Sequence, residues 1–415
     1  MKRALVALLV LVFAACVFAQ QVEFHGHKVI RTYITKPSQL TFLEKLNVDF
    51  WSERPDLGPV DVRVTPEQLK RVEQARIPYM VLIEDLQKLI DSQKSDVQAQ
   101  GIFDDYLTLD QINDQLLAWE QQYPALAKRI QVGTSVQNRP IYVLRLSTGV
   151  NQTDAYGSKK LGVLYHGAEH AREWISPPVV LYIANYLLTN YGVDKRATDI
   201  LNHMDVYCMP VMNPDGYRYT WTNNRMWRKN RRNNGDGTYG VDLNRNWGYM
   251  WGGDGSSGNT SSETYRGPSP FSEPETRAVR DFLLANPRVK GHLDYHSYSQ
   301  LILFPWGYTS AQCPDYAAFL SATGRMATLI NQVHGMVYDY GSVGGSLYLA
   351  SGCSLDWSYA VAGTRAITIE LRDTGEYGFV LPKEQIIPTC EENLPAAIDY
   401  ALWLDQVYLI PARKR

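Results

Sequence analysis

Residues 161–180 read LGVLYHGAEHAREWISPPVV. The stretch opens as an apolar run of the kind that forms a fully buried strand. It breaks at Gly167 and then interleaves His166, Glu169, His170 and Glu173, with Trp174 behind them. Two imidazoles and two carboxylates at a strand end supply the nitrogen and oxygen donors of a divalent-metal site, most simply zinc. Two registers overlap here: H-x-x-E-H from His166 to His170, and H-x-x-E from His170 to Glu173. The first needs both histidines on one face of a helix, whereas a glycine directly after a strand predicts a turn. The second register is therefore favoured, and His166 and Glu169 are left as packed residues behind it. Two ligands do not hold a zinc, so a third must come from elsewhere. Of the eight histidines, His292 and His296 flank one strand end, GHLDYHSY. Residues four apart on a strand share a face, and the one nearer the carboxyl end reaches the cleft. His296 is thus the better third ligand, and His292 is expected to be buried.

Outward from this stretch the chain alternates apolar runs (LGVLYHG, MDVYCMPVMNP, VKGHLDYHS, RAITIELRD) with amphipathic ones (PPVVLYIANYLLTN, EPETRAVRDFLLA, AAFLSATGRMATLINQV). That order predicts an α/β domain over 101–415, with a mixed central sheet flanked by helices on both faces and its polar motifs at the carboxyl ends of strands. Upstream, strands near 27–34, VDFW, GPVDVRV and YMVLI alternate with helices at 37–46 and from Pro66, where Thr65 and Gln68 form a capping box. This βαββαβ order predicts a small open-sandwich domain over 20–86. Between the two, residues 87–100 are polar and read as a connector.

The first 20 residues, MKRALVALLVLVFAACVFAQ, have a basic start, a short apolar centre and small residues before a cut after Ala19. Residues 1–19 are read as a secretory signal, which makes the mature protein extracellular. With 41 lysines and arginines against 43 aspartates and glutamates, the net charge of -2 gives no pull toward nucleic acid or a membrane surface. The oxidising compartment permits one or two disulfides among Cys208, Cys313, Cys353 and Cys390, whose spacing contains no C-x-x-C.

Six motifs in order carry a resemblance: His170-Ala-Arg-Glu173-Trp174, NRMWRKNR at 224–231, DLNRNW at 242–247, HSYSQ at 296–300, Tyr348, and ELRDTG at 370–375. Together they resemble the zinc metallocarboxypeptidases of the pancreatic A/B type in their proenzyme form. The likeness runs from about residue 24 to 410 and includes the prosegment pattern VDFW…DVRV…IEDLQ.

The resemblance implies one zinc per chain, held by His170, Glu173 and His296, with Asp242 orienting His170. It implies Glu370 as the general base that takes a proton from the attacking water and returns it to the leaving amine, and Arg228 as the group that polarises the scissile carbonyl. Asn244 and Arg245 would hold the substrate's terminal carboxylate, Tyr348 would close over the substrate, and Arg172 would serve a more distant subsite. The matching specificity pocket is Leu303, Gly307, Val343, Leu347, Ala350, Cys353, Leu355 and Thr368. Relatives that remove lysine or arginine carry an aspartate at the position of Leu355, so apolar or aromatic C-terminal residues are expected here. Cys353, larger than the glycine common at its position, is expected to narrow the pocket. Thr238 and Ser261 stand where the pancreatic enzymes have a disulfide, so that loop must be held differently. The implied partners are peptide and protein C-termini and a trypsin-like protease that cuts the connector, most naturally at Lys94, to remove an inhibitory prosegment from a monomeric enzyme. Two rivals are a non-catalytic peptide-binding relative, expected to lack Glu370 or a ligand, and an enzyme for basic C-termini, disfavoured by Leu355.

Overall fold

The small sheet forms where buried residues alternate along the strands, the large one around strands buried on both faces, and helices close each. The computed structural model describes residues 21–52, 57–93, 101–151, 158–346 and 349–408. Residues 1–19, read as a secretory signal, and Lys94, Leu347 and Tyr348 lie outside the described residues.

The small domain contains β1 (Lys28–Ile34), β2 (Asp49–Phe50), β3 (Gly58–Val64) and β4 (Tyr79–Ile83), antiparallel in the order β2-β3-β1-β4. Ile30, Ile34, Val60, Val62 and Val64 meet Leu43 and Val72 from helices Pro37–Lys45 and Pro66–Gln74. The second helix starts where its capping box predicts: Gln68 N–H donates to Thr65 Oγ1, and Gln68 Oε1 accepts from Thr65 N–H.

The large domain is an eight-stranded mixed sheet. Its strands are β5 (Ala127–Thr134), β6 (Pro140–Leu146), β7 (Leu161–Gly167), β8 (Met204–Met209), β9 (Val289–Ser297), β10 (Leu301–Phe304), β11 (Asp339–Ser342) and β12 (Arg365–Leu371), in the order β11-β10-β12-β9-β7-β8-β6-β5. The central run β12-β9-β7-β8 is parallel. Every residue of β7 is buried, as a strand covered on both faces requires. Val163 and Tyr165 join a core with helices Ser176–Thr189 and Ile386–Tyr408, while Leu164 joins Tyr207, Phe282, Trp247 and Trp357 in another. Because β7, β9 and β12 run in one direction, His166, His296 and Glu370 all come out near one edge of the sheet.

Residues 87–92, which composition reads as connector, continue a helix, Leu86–Ser92, whose Leu86, Gln87 and Ile90 are buried. Gln93 Nε2 donates to the Leu381 carbonyl at 2.7 Å, which anchors this segment to the large domain. The disulfides expected from the compartment do not form. Cys208, Cys313, Cys353 and Cys390 are all buried and free. Cys208 lies in β8, Cys353 precedes helix Ser354–Ala360, and Cys390 lies in helix Ile386–Tyr408. The loop around Thr238 and Ser261 is instead held by Asp236, which accepts hydrogen bonds from Thr238 Oγ1 (2.6 Å) and Thr260 Oγ1 (2.7 Å). No described helix is long and apolar enough to cross a membrane.

Candidate active site

At the end of β7 the chain makes the expected turn. Ala168 has a φ of 49°, in the left-handed region, and a Cβ at Gly167 would lie 3.0 Å from the Ser176 carbonyl carbon. Ser176 Oγ accepts from Ala168 N–H and donates to the Glu173 carbonyl, both at 2.9 Å, so the turn is tied to the first residue of helix Ser176–Thr189. Ala171 N–H donates to the Arg228 carbonyl (2.9 Å), and Asn213 Nδ2 donates to the carbonyls of Glu169 and Lys229. These bonds hold the histidine turn and the basic loop in register.

The turn delivers His170 and Glu173, and β9 delivers His296. His170 Nδ1 lies 2.9 Å from Glu173 Oε1 and 3.1 Å from His296 Nδ1, which is itself 3.1 Å from Glu173 Oε2. All three side chains are buried. Three electron-pair donors facing one another in a dry site repel unless a cation lies among them, and two imidazoles with a carboxylate suit zinc. His170 Nε2 faces Asp242 Oδ1 at 3.0 Å, which turns Nδ1 toward the centre. Burial opposes the charge on Asp242, but Arg228 and His170 outweigh it and hold the carboxyl well below its usual range. Burial likewise opposes ionisation of Glu173, and His170 and His296 overcome it.

Arg228 reaches Asp242 Oδ2 through Nη2 (3.1 Å) and Nε (3.3 Å), and its Nη1 is 3.9 Å from Glu173 Oε1. One carboxylate thus orients both a metal-facing histidine and a cation beside it. Glu370, on β12, is the register partner of His296 across the parallel ladder and is buried. Asn244 and Arg245 follow Asp242 in a 3₁₀ turn, Leu243–Arg245, capped by Asp242 Oδ1 accepting from Asn244 N–H (3.0 Å). Asn244 Oδ1 accepts from Ser354 N–H (2.9 Å), while Arg245 donates to the carbonyls of Gly255 (2.8 Å) and Asn244 (2.9 Å).

Leu303, Val343, Ala350, Cys353 and Leu355 form one apolar cluster, and Thr368 is the cross-strand partner of Leu303. A Cβ on Gly307 would sit 3.1 Å from both the Ala350 carbonyl oxygen and Cys353 Sγ, so glycine is what the close approach of these two strands of chain allows.

Arg172 does not face open solvent. Its Nη1 lies 3.2 Å from Asp49 Oδ1, its Nη2 donates to the Phe50 carbonyl (3.4 Å), and its guanidinium lies 4.0 Å from the Phe379 ring centroid. The small domain therefore lies against the cleft, with Trp51 packed on Tyr298 and Phe379 and with Asp61 accepting from Tyr298 Oη (2.9 Å). The remaining basic residues of the loop have separate partners. Arg225 donates to the Arg172 and Phe379 carbonyls, Lys229 to the Thr260 and Ser262 carbonyls, and Arg232 to Glu273; Arg231 stacks on Tyr219 and Trp227.

Asp49 and Asp356 are among the carboxylates near the site that escaped sequence reasoning. Asp49 had no signal beyond its place in VDFW. Asp356, next to Leu355, accepts from Gly307 N–H (2.8 Å) and Tyr308 N–H (2.9 Å), and burial pushes its pKa up to about 6.

Known proteins resemble this chain over nearly its whole length. Residues 112–396 match the zinc carboxypeptidase family and residues 30–93 the carboxypeptidase activation peptide. Carboxypeptidase A1 of Rattus norvegicus is 38% identical over 392 residues, covering 89% of this chain and 92% of the relative. Carboxypeptidase A2 of Mus musculus is 37% identical over 393 residues, covering 90% and 92%. The crystal structure of thrombin activatable fibrinolysis inhibitor superposes with a TM-score of 0.85 at 33% identity, covering 92% of this chain and 100% of that one. The chain accordingly belongs to the zinc carboxypeptidase family, as a metallocarboxypeptidase that carries the family's activation peptide ahead of its enzyme domain.

Proposed function

We propose that this protein is the secreted zymogen of an enzyme that hydrolyses the C-terminal peptide bond of peptides and proteins, with preference for apolar or aromatic terminal residues. The carrying observation is the apolar cluster of Leu303, Val343, Ala350, Cys353 and Leu355 beside Asn244 and Arg245. A cationic terminal side chain entering that cluster would lose its hydration without gaining a counter-charge. Asp356, next to Leu355, is already committed to the Gly307 and Tyr308 amides.

Residues His170, Glu173 and His296 would hold one catalytic zinc, which when bound supplies a Lewis acid that polarises oxygen. Glu370 moves the protons, taking one from the attacking water and delivering it to the departing amine, a role of about 100- to 10,000-fold in rate. Arg228, held by Asp242, faces the charge that develops on the carbonyl oxygen. Arg245 and Asn244 bind the terminal carboxylate, which restricts cleavage to the last residue. Tyr348 closes over bound substrate. Before activation the prosegment occupies Arg172, and a trypsin-like cut after Lys94 releases it from a monomeric chain.

Hydrolysis of peptides that differ only in the C-terminal residue, before and after trypsin and with and without a chelator, tests this reading. Release of phenylalanine and leucine after trypsin, abolished by the chelator and restored by zinc, is expected. Faster release of arginine than of phenylalanine would overturn the specificity, and full activity of the uncut chain would overturn the zymogen.

A further inference from the structure

Behind the candidate zinc ligands lies a second convergent group that the reaction does not use. His166 at the end of β7, Glu169 in the turn, and Asp294 and His296 on β9 are all fully buried. His166 Nε2 lies 2.7 Å from Asp294 Oδ1 and 3.7 Å from Glu169 Oε2. His296 Nε2 lies 2.9 Å and 3.7 Å from the same two oxygens. In spite of these short distances, none of the four atoms makes an aligned hydrogen bond.

The outward atoms of the same side chains are satisfied. Glu169 Oε1 accepts from Trp247 Nε1 (2.9 Å), and Asp294 Oδ2 accepts from the Ser354 hydroxyl. His166 Nδ1 faces His292 Nε2 at 2.6 Å, and His292 Nδ1 faces Ser358 Oγ at 2.9 Å. With His166 Nδ1–H donating to His292, and His292 Nδ1–H to Ser358, the lone pair on His166 Nε2 is left facing inward. Outer atoms tied and inner donor atoms converging is how a protein holds metal ligands in place.

The spacing separates the two occupants that could sit among these atoms. A tetrahedral ion with bonds of ~2.0–2.1 Å has ligand–ligand edges of ~3.3 Å, whereas a water hydrogen-bonded at ~2.8 Å would need edges of ~4.6 Å. Four of the six edges, 2.7 to 3.7 Å, bracket the metal value and fall short of the water value. They also resemble the 2.9 to 3.1 Å separations among His170, Glu173 and His296 in this chain.

We propose that His166 Nε2, Glu169 Oε2, Asp294 Oδ1 and His296 Nε2 form a second divalent transition-metal site of zinc type, with the His296 imidazole shared between the two ions. Binding the second ion sends the remaining ring proton of His296 to solvent. The site is fully enclosed and offers no path for a peptide, so its role is to fix β7 against β9 and to hold His296 in orientation. It shares one residue with the catalytic site of the proposed function but is independent of the specificity reading.

Zinc content of the full-length zymogen, loaded with zinc and dialysed against metal-free buffer, is the test. Two zinc ions per chain are expected, falling to one in Glu169→Gln and in His166→Gln, and to one in His170→Gln through loss of the other site. One zinc in the wild type, unchanged by Glu169→Gln, would overturn the second site and leave the catalytic one standing. Two ions that persist in Glu169→Gln would overturn it as well, because the second would then lie elsewhere. Zinc absent from every form would sink both readings. Anomalous scattering at the zinc edge from wild-type crystals gives a reading that needs no variant: a second peak between His166 and Asp294 supports the site, and a solitary peak among His170, Glu173 and His296 overturns it.

Discussion

Asp49→Asn is expected to make the uncut zymogen leak activity. Asp49 sits on β2 of the prosegment, where Oδ2 accepts from Arg63 Nε (2.9 Å) and Trp51 Nε1 (3.2 Å) and Oδ1 lies 3.2 Å from Arg172 Nη1. Burial works against its charge, and Arg172 and Arg63 hold its pKa low. Of these partners only Arg172 belongs to the enzyme domain, so only that contact distinguishes the docked prosegment from the released one. Arg172 is buried in the docked state and becomes hydrated when the prosegment leaves. Loss of the carboxylate charge therefore falls on the closed state. A hydrogen bond between charged groups contributes about 1.5–3 kcal/mol, so the open fraction should rise roughly 10- to 150-fold at tenfold per ~1.4 kcal/mol. The remaining contacts, Asp61 with Tyr298, Arg31 with the Thr374 carbonyl, and Trp51 on Phe379, keep the prosegment attached. The assay is hydrolysis of a peptide ending in phenylalanine by the uncut chain, followed by the same measurement after trypsin. The uncut variant should exceed the uncut wild type by the stated factor, and the two should converge once residue 49 has been released. An uncut variant as quiet as the wild type would show that the Asp49–Arg172 contact has no part in latency.

Three other perturbations have defined outcomes. Leu355→Asp places a carboxylate in the apolar cluster and should move the kcat/KM ratio of arginine-ending to phenylalanine-ending peptides by roughly 100-fold or more; an unchanged ratio would remove Leu355 from the pocket. Glu370→Gln should lower kcat by about 100- to 10,000-fold with metal content unchanged, because it removes the proton carrier and none of the candidate ligands. Burial pushes the pKa of Glu275 up to about 7 from an ordinary value of 4.5. Its folded state therefore holds the proton that its unfolded state releases, and stability is full below about pH 4.5 and falls as pH rises toward about 7, by up to ~3 kcal/mol at 1.36 kcal/mol per unit. Denaturant unfolding should show that decline in the wild type and a flatter profile in Glu275→Gln.

What the sequence disclosed and what it hid separate along one physical line. The succession of strands and helices in the small domain, the turn after Gly167 and the convergence of His170, Glu173 and His296 as a candidate metal group were legible because each rests on neighbours in sequence or on strand alternation. Asp49 and Asp356 were not, since their partners lie across the fold: Arg172 is 123 residues from Asp49, and Gly307 is 49 from Asp356. Residues 87–93 read as a connector because glutamine counts as polar in composition. In the fold, Gln87 Oε1 accepts from Phe24 N–H and Gln93 bonds to Leu381 and Arg225, so buried amides add to the apolar anchors Leu89 and Ile90. The cysteines misled for the opposite reason, since an oxidising compartment permits disulfides but packing decides whether two thiols meet. One signal was present and undervalued. A parallel strand covered on both faces should read as a continuous apolar run, yet β9 places His292, Asp294 and His296 on a single face, and β7 answers with His166 opposite Asp294. Three polar residues in alternation are too many for one ligand to explain. The same sheet register that brings Glu370 beside His296 at the cleft also stacks these groups beneath it. A sequence-level conflict of this kind marks a place where the fold gives up apolar packing for chemistry, and here it points to His296 being held by work at both of its ring nitrogens.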